Sequence, residues 1–257
     1  MNILETILEN KKAEVAADKK RVAISDFNGF EYFSRKCISP KAAFLKNKTS
    51  LICEFKRKSP SKGDIAPNAS PETQIPQYIK GGAAALSVLT DNKFFGGSAN
   101  DLLCARKLAN IPVLRKDFVV DEYQIYQAKA LGADFVLLIA AALGKTQCKD
   151  YADIAHGLGM EVLTELHDVL ELEKLPDSSD LAGVNNRNLA NFKCSFQSAK
   201  DLAKLIGKNF VKVAESSIKT PEDVRELKSM GFSAFLIGES LMRSGNPAAT
   251  IQEFLKE

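Results

Sequence analysis

Tryptophan is absent from the 257 residues, and histidine occurs only twice. The five cysteines (Cys37, Cys53, Cys104, Cys148 and Cys194) are dispersed and form no Cys-x-x-Cys pair. So few soft ligands argue against a zinc or other metal site, and an odd set of scattered thiols reads as reduced and cytoplasmic rather than as a disulfide framework. No apolar run approaches the roughly 20 residues that a transmembrane helix needs, so no membrane partner is expected. The opening MNILETILENKKAEVAADKK carries acids throughout and lacks the apolar centre of a signal peptide. An excess of one charge is missing as well. With 35 basic residues against 32 acidic ones the net charge is only +3, which does not suit a nucleic-acid binder but is compatible with a small anionic substrate. The Lys56-Arg57-Lys58 run is short and mixes inward with outward positions. What is present is an ordinary globular composition, 45% hydrophobic and 26% charged. The length suits one α/β barrel of about 250 residues better than two separate domains.

Ile3, Leu4, Ile7, Leu8 and Val15 fall at helical spacing and predict an amphipathic helix. Packing on the outside of the domain is the expectation for it, with a lid or a dimer contact as alternatives. Ser39-Pro40-Lys41 opens a short helix reaching Phe44 and Leu45, so residues 1–47 read as an N-terminal helical extension and 48–257 as a barrel. From there one pattern repeats: an apolar run, a polar loop, an amphipathic helix, then a glycine. The runs are LICEFK, AAALSVL, IPVLRK, DFVLLIA, MEVLTEL, LAGVNN, FVKVAE and SAFLIG. Their starts recur about every 26 residues, room for one strand and one helix. Gly81-Gly82, Gly132, Gly159 and Gly231 fall where helices should end, and Thr220-Pro221-Glu222-Asp223 is a helix start. Such alternation gives a parallel sheet with right-handed crossovers, and eight units favour a closed (β/α)8 TIM barrel over an open sheet. An open dinucleotide-binding sheet would also be expected to show a Gly-x-Gly-x-x-Gly turn, which is absent.

Barrel chemistry belongs at the carboxyl ends of the strands. In LICEFKRKSPSKGD, Glu54 and Lys56 lie two residues apart and share one face of an otherwise apolar strand. A structural ion pair is one explanation; a charged site is the other, because a parallel strand is normally apolar on both faces. The Ser59-Pro60-Ser61-Lys62-Gly63 loop that follows suits an anion. Strand two ends in Thr90-Asp91-Asn92-Lys93-Phe94-Phe95-Gly96-Gly97-Ser98, whose phenylalanines either lie against a flat substrate or plug the barrel mouth. Strand three ends Leu114-Arg115-Lys116-Asp117-Phe118, and alternation alone does not choose which of Arg115 and Lys116 faces inward. Strands five, six and seven end in Glu165-Leu166-His167-Asp168, Asn185-Asn186-Arg187-Asn188 and Glu215-Ser216-Ser217. Charges converging from strands one, three, five and seven would each cost several kcal/mol if they had no task. Backbone amides after strand seven and at Gly238-Glu239, where strand eight runs into a helix, suit a phosphate. His167, beyond its strand end and beside Asp168, is expected at a helix cap or in solvent; both histidines are left outside the site, with His167→Ala near silent.

These segments resemble indole-3-glycerol phosphate synthase nearly end to end: the helical extension, EFKRKSPSKG, LTDNKFFGGS, LRKDF, TELHD, NNRNL, AES and LIGESLM, in order and spacing. The resemblance implies ring closure, decarboxylation and dehydration of a carboxyphenylamino-deoxyribulose phosphate to indole-3-glycerol phosphate, with neither metal nor organic cofactor. It assigns the inward strand-three position to Lys116, as the acid for ring closure, and Glu165 to the dehydration. Lys56 would hold the substrate carboxylate or act as a second acid, and Glu54 would orient and tune the lysines. Asn185 and Glu215 would meet the substrate hydroxyls and the reacting centre. Ser59, Ser61, Phe95, Phe118, Arg187, Ser216, Ser217, Gly238 and Glu239 would frame substrate or phosphate. Ser217 departs from the glycine frequent in that family, and serine there is strained if φ must be positive. The implied partner is a phosphorylated small molecule, on a monomer or weak homodimer. Two other readings use the same barrel: a Schiff-base lyase or aldolase with Lys116 or Lys56 as the amine, and a non-catalytic sugar-phosphate binder.

Overall fold

The computed structural model describes residues 2–187 and 195–256, so Asn188 and Leu189 of NNRNL, and Cys194, lie outside the described residues. All eight apolar runs form strands: β1 Ser50–Phe55, β2 Ala85–Leu89, β3 Val113–Lys116, β4 Phe135–Ile139, β5 Glu161–Leu166, β6 Leu181–Asn185, β7 Val211–Glu215 and β8 Ala234–Ile237. Each pairs in parallel with its neighbours in sequence, and β1 pairs with β8 to close the barrel. Two helices precede it, α1 Ile3–Lys19 and α2 Pro40–Leu45. The remainder are α3 Pro71–Gly81, α4 Asn92–Phe95, α5 Ala99–Leu108, α6 Tyr123–Ala130, α7 Lys145–Gly157, α8 Gln197–Leu202, α9 Pro221–Ser229, α10 Glu239–Arg243 and α11 Pro247–Leu255. After β5 the chain runs through a 3₁₀ segment, Val169–Lys174. The predicted helix-ending glycines serve as read: Gly82 caps α3 at φ 98°, and Gly132, Gly159 and Gly231 are also left-handed.

Period-two alternation sorts each strand into an outer and an inner face. Leu51, Cys53 and Phe55 of β1 join the large core shared with the helices. Ile52 joins the barrel interior with Leu114, Leu137, Leu163, Val213 and Leu236. Two residues further along these strands stand Glu54, Lys116, Ile139, Glu165, Glu215 and Gly238, which all line one cavity at the carboxyl end. The alternation thus turns Lys116 inward. Arg115 points the other way, donating to Thr90 Oγ1 (3.1 Å), the Gln124 carbonyl (2.9 Å) and Asp117 (3.1 Å).

The amino end of the barrel is stoppered by α2. Its cap residue Ser39 and the Lys41 amide (2.8 Å) both donate to the Glu161 carboxylate at the start of β5, and Phe44 enters the interior cluster. At the other end α1 does more than pack on the outside: Ile3, Leu4 and Ile7 form part of the cavity wall. One turn on from Ile7 along the buried stripe, Lys11 is 1% exposed and lies 3.0 Å from both Asp91 after β2 and Asp117 after β3, and 3.1 Å from Glu14. A helix whose buried stripe contains a lysine needs a carboxylate partner beneath it. Periodicity identifies the buried face but not the surface that receives it, so the expected exterior packing is corrected by this anchor. Lys11→Met should lower stability by about 3 kcal/mol in urea denaturation, because it strands the buried Asp91 carboxylate and leaves Asp117 with the Arg115 cation alone. A loss below about 1 kcal/mol would show that the anchor is not ionic.

Candidate active site

The cavity encloses about 400 Å³ above the barrel interior. Its floor is a layer of acids and lysines. Lys56, just past β1, donates to Glu54 Oε1, which makes the charged pair read from the sequence a real contact facing the cavity. Lys116 Nζ lies 3.3 Å from Glu165 Oε2. Asn185 Nδ2 donates to the other Glu165 oxygen at 3.0 Å, and strand register sets Asn185 opposite Glu215. Two glycines make room for this layer. A Cβ on Gly183 would fall on Glu215 Oε1, and one on Gly238 would lie 3.1 Å from Glu54 Cβ and against its carboxylate.

The electrostatics divide the acids. Burial pulls Lys116 toward neutrality, but the carboxylates of Glu165 and Glu54 outweigh it, and its pKa lies above the ordinary lysine value. Burial opposes ionisation of Glu165 too, yet Lys116, His167 and Asn185 hold its pKa well below the usual carboxylate range. For Glu215 the balance is reversed: burial and the neighbouring Glu165 charge push it well above the usual range, and the pull of Lys116 in the other direction is outweighed. Its Oε1 has no hydrogen-bond partner. Within the ring of charges expected from the sequence, Glu215 is thus the acid whose surroundings favour the protonated form.

His167 corrects the reading made from the sequence. Asp168 is the cap, accepting from the Leu170 and Glu171 amides at 2.8 and 3.3 Å, while the His167 side chain is only 12% exposed. Its Nε2 lies 3.2 Å from Glu165 Oε1 and its Nδ1 3.4 Å from Glu171 Oε2. Burial lowers its pKa, but the two carboxylates prevail and raise it to about 10. Position alone could not reveal this, because the ring is turned inward by a 3₁₀ segment that brings Glu171 back to the His167 amide (2.7 Å).

The rim suits an anion. The buried Ser59 hydroxyl has no protein partner, and Ser61 accepts from Arg187 at 2.7 Å. Ser216 and Ser217 take φ of 65° and 67°, so the strain foreseen at Ser217 is present and extends to its neighbour. Gly238 precedes α10, and the Glu239 carboxylate is 3.8 Å from Lys62 and 3.3 Å from Arg243. Phe95 and Phe118 form a tilted pair, centroids 5.8 Å apart, and both line the cavity, whereas Phe94 does not. Every site residue chosen from the sequence lines this one space. Sequence reasoning missed the α1 side chains, Lys219 and Arg243, which also line it.

Lysines and carboxylates on the strand ends of a parallel barrel, under a rim of hydroxyls and basic side chains, are the layout of a TIM-barrel enzyme for a small anionic substrate. The chain belongs to the indole-3-glycerol phosphate synthase family, whose model matches residues 4–254. An indole-3-glycerol phosphate synthase from Bacteroides thetaiotaomicron is 46% identical over 255 residues, covering 99% of this chain and 98% of that one. One from Variovorax paradoxus is 42% identical, covering 99% of each. Among solved structures, 3-hexulose-6-phosphate synthase from Salmonella typhimurium superposes with a TM-score of 0.66 over 81% of this chain and 97% of that one. At 13% identity it shares the fold alone.

A raised carboxyl pKa costs stability as pH climbs: above about 4.5 the unfolded chain sheds the Glu215 proton that the folded one keeps. Glu215→Gln has no such proton to shed. Its stability relative to the parent should therefore increase between about pH 5 and pH 7, by up to about 1.4 kcal/mol per unit, in urea titrations at both values. A constant difference would mean that Glu215 is ionised in the folded chain.

Proposed function

We propose that this chain closes the indole ring, converting 1-(2-carboxyphenylamino)-1-deoxyribulose 5-phosphate to indole-3-glycerol phosphate with loss of carbon dioxide and water. The observation that carries the assignment of roles is the Lys116–Glu165 pair at 3.3 Å inside the cavity. Ring closure joins the carboxylate-bearing aromatic carbon to the ribulose carbonyl carbon, and the carbonyl oxygen must gain a proton. Lys116, held as an ammonium, is the donor. Loss of the carboxylate as carbon dioxide then restores aromaticity, and Lys56 is placed to hold that group. Dehydration needs a proton for the leaving hydroxyl and a base for another proton; Lys56, as the second acid, delivers the first, and Glu165, held below the usual carboxylate range, takes up the second. Neutral Glu215 and the Asn185 amide can both donate hydrogen bonds to substrate hydroxyls.

The remaining assignments follow from chemistry. Glu54 orients Lys56. Phe95 and Phe118 flank the substrate's aromatic ring. Ser59, Ser61, Arg187, Ser216 and Ser217 frame the phosphate with the Gly238 and Glu239 backbone. The steps are proton transfers and bond cleavages that side chains can perform. The reading includes a cytoplasmic enzyme, monomeric or weakly dimeric; among the described residues no helix is long and apolar enough to cross a membrane.

A chain without tryptophan gives a dark background for the indole product, so turnover can be followed by indole emission. Lys116→Ala and Glu165→Gln should each lower kcat about 10²-fold or more with the fold retained. Near-normal rates in both would remove the assignment. A Schiff-base mechanism needs a lysine with a lowered pKa, opposite to the direction found for Lys116. Borohydride with substrate should accordingly leave the protein mass unchanged.

A further inference from the structure

His167 does not line the cavity, yet its Nε2, 3.2 Å from Oε1, makes it the third group gathered at the Glu165 carboxylate. Lys116 approaches one oxygen, while Asn185 and His167 share the other. Behind the imidazole Glu171 faces Nδ1, and Glu171 is itself fixed by the His167 amide. Beyond Glu165 stand Lys116 from β3 and Glu215 from β7, and Lys174 is turned away to the Ala140 carbonyl at 2.8 Å. The ring is thus clamped between two carboxylates, one in the cavity and one outside it. We infer that His167 is a positioning residue: as an imidazolium held by Glu171, it fixes the Glu165 carboxylate and keeps it an anion.

The need for such a group arises during the reaction. In the proposed role Lys116 gives its proton to the substrate, and at that moment Glu165 loses the cation opposite it. Without a second positive charge, a carboxylate as buried as Glu165 would take up a proton before the step that needs it as a base. His167 supplies that charge from the side away from the substrate, where chemistry does not consume it. This inference rests on Glu165 acting as the base; the geometry of the pair does not.

The test uses the full chain. His167→Gln keeps a donor without a charge, and should lower kcat about tenfold near pH 7 with KM changed less than about twofold. Its acid limb should move to higher pH, because Glu165 protonates more readily, so that most of the loss is recovered near pH 9. Glu171→Gln should move the limb in the same direction by less, without altering the cavity. In ¹⁵N NMR the His167 imidazole should stay protonated beyond about pH 8 and fall back toward an ordinary histidine in Glu165→Gln. His156 is recognised as the signal that persists in His167→Gln. The NMR coupling separates the two ideas: if Glu165→Gln turned over normally while the coupling held, the base assignment would fall and the pair would stand. A pH-independent loss in His167→Gln, or a wild-type imidazole titrating near 6.5, overturns the positioning role.

Discussion

Lys116 and Glu165 meet at 3.3 Å inside a closed barrel, and the other charges are placed as though to keep that meeting neutral. Charges removed from water must be matched locally, because the penalty for an unmatched one exceeds what surrounding packing can offset. Lys56 matches Glu54, Lys116 matches Glu165, and His167 matches Glu171. Glu215 shares Lys116 with Glu165, and burial beside the Glu165 charge shifts it toward the protonated form. The same bookkeeping extends to the roof, where Lys11 joins α1 to the acids after β2 and β3.

Neutrality has a functional side. A substrate with a carboxylate and a phosphate brings negative charge to a floor that carries none to spare, so the phosphate must be met elsewhere. Lys62, Lys219, Arg187 and Arg243 supply the positive side chains at the cavity's edge. Glu239, between Lys62 and Arg243, pairs with two of these cations. In the proposed mechanism floor and rim divide the work: proton transfer among the paired side chains below, anion capture by the cations above.

The eight strands could be read from the sequence because a parallel strand covered on both faces must be apolar almost throughout, and the exceptions then mark the site. Glu54, Lys116, Glu165 and Glu215 stood out for that reason. Two features were not legible because they depend on surfaces distant in sequence. Hydrophobic spacing gave α1 its buried face but not the barrel mouth beneath it, although Lys11 within that stripe was a signal available to find. For His167 the deciding partner is Glu171, in a 3₁₀ segment with no clear period. Protonation states were equally hidden, since Glu165 and Glu215 are the same residue type at equivalent strand ends and differ only in their neighbours.

Gly183 shows how little space separates the barrel wall from one wall of its cavity. Its backbone is ordinary strand, so an alanine there meets no conformational obstacle, and the first atom it displaces is the mobile end of Glu215. The barrel wall would still close and the phosphate rim would be untouched. A single methyl group at this position is therefore a route by which a descendant of this fold could exchange the hydroxyl pattern it accepts while Lys116 and Glu165 stay where they are.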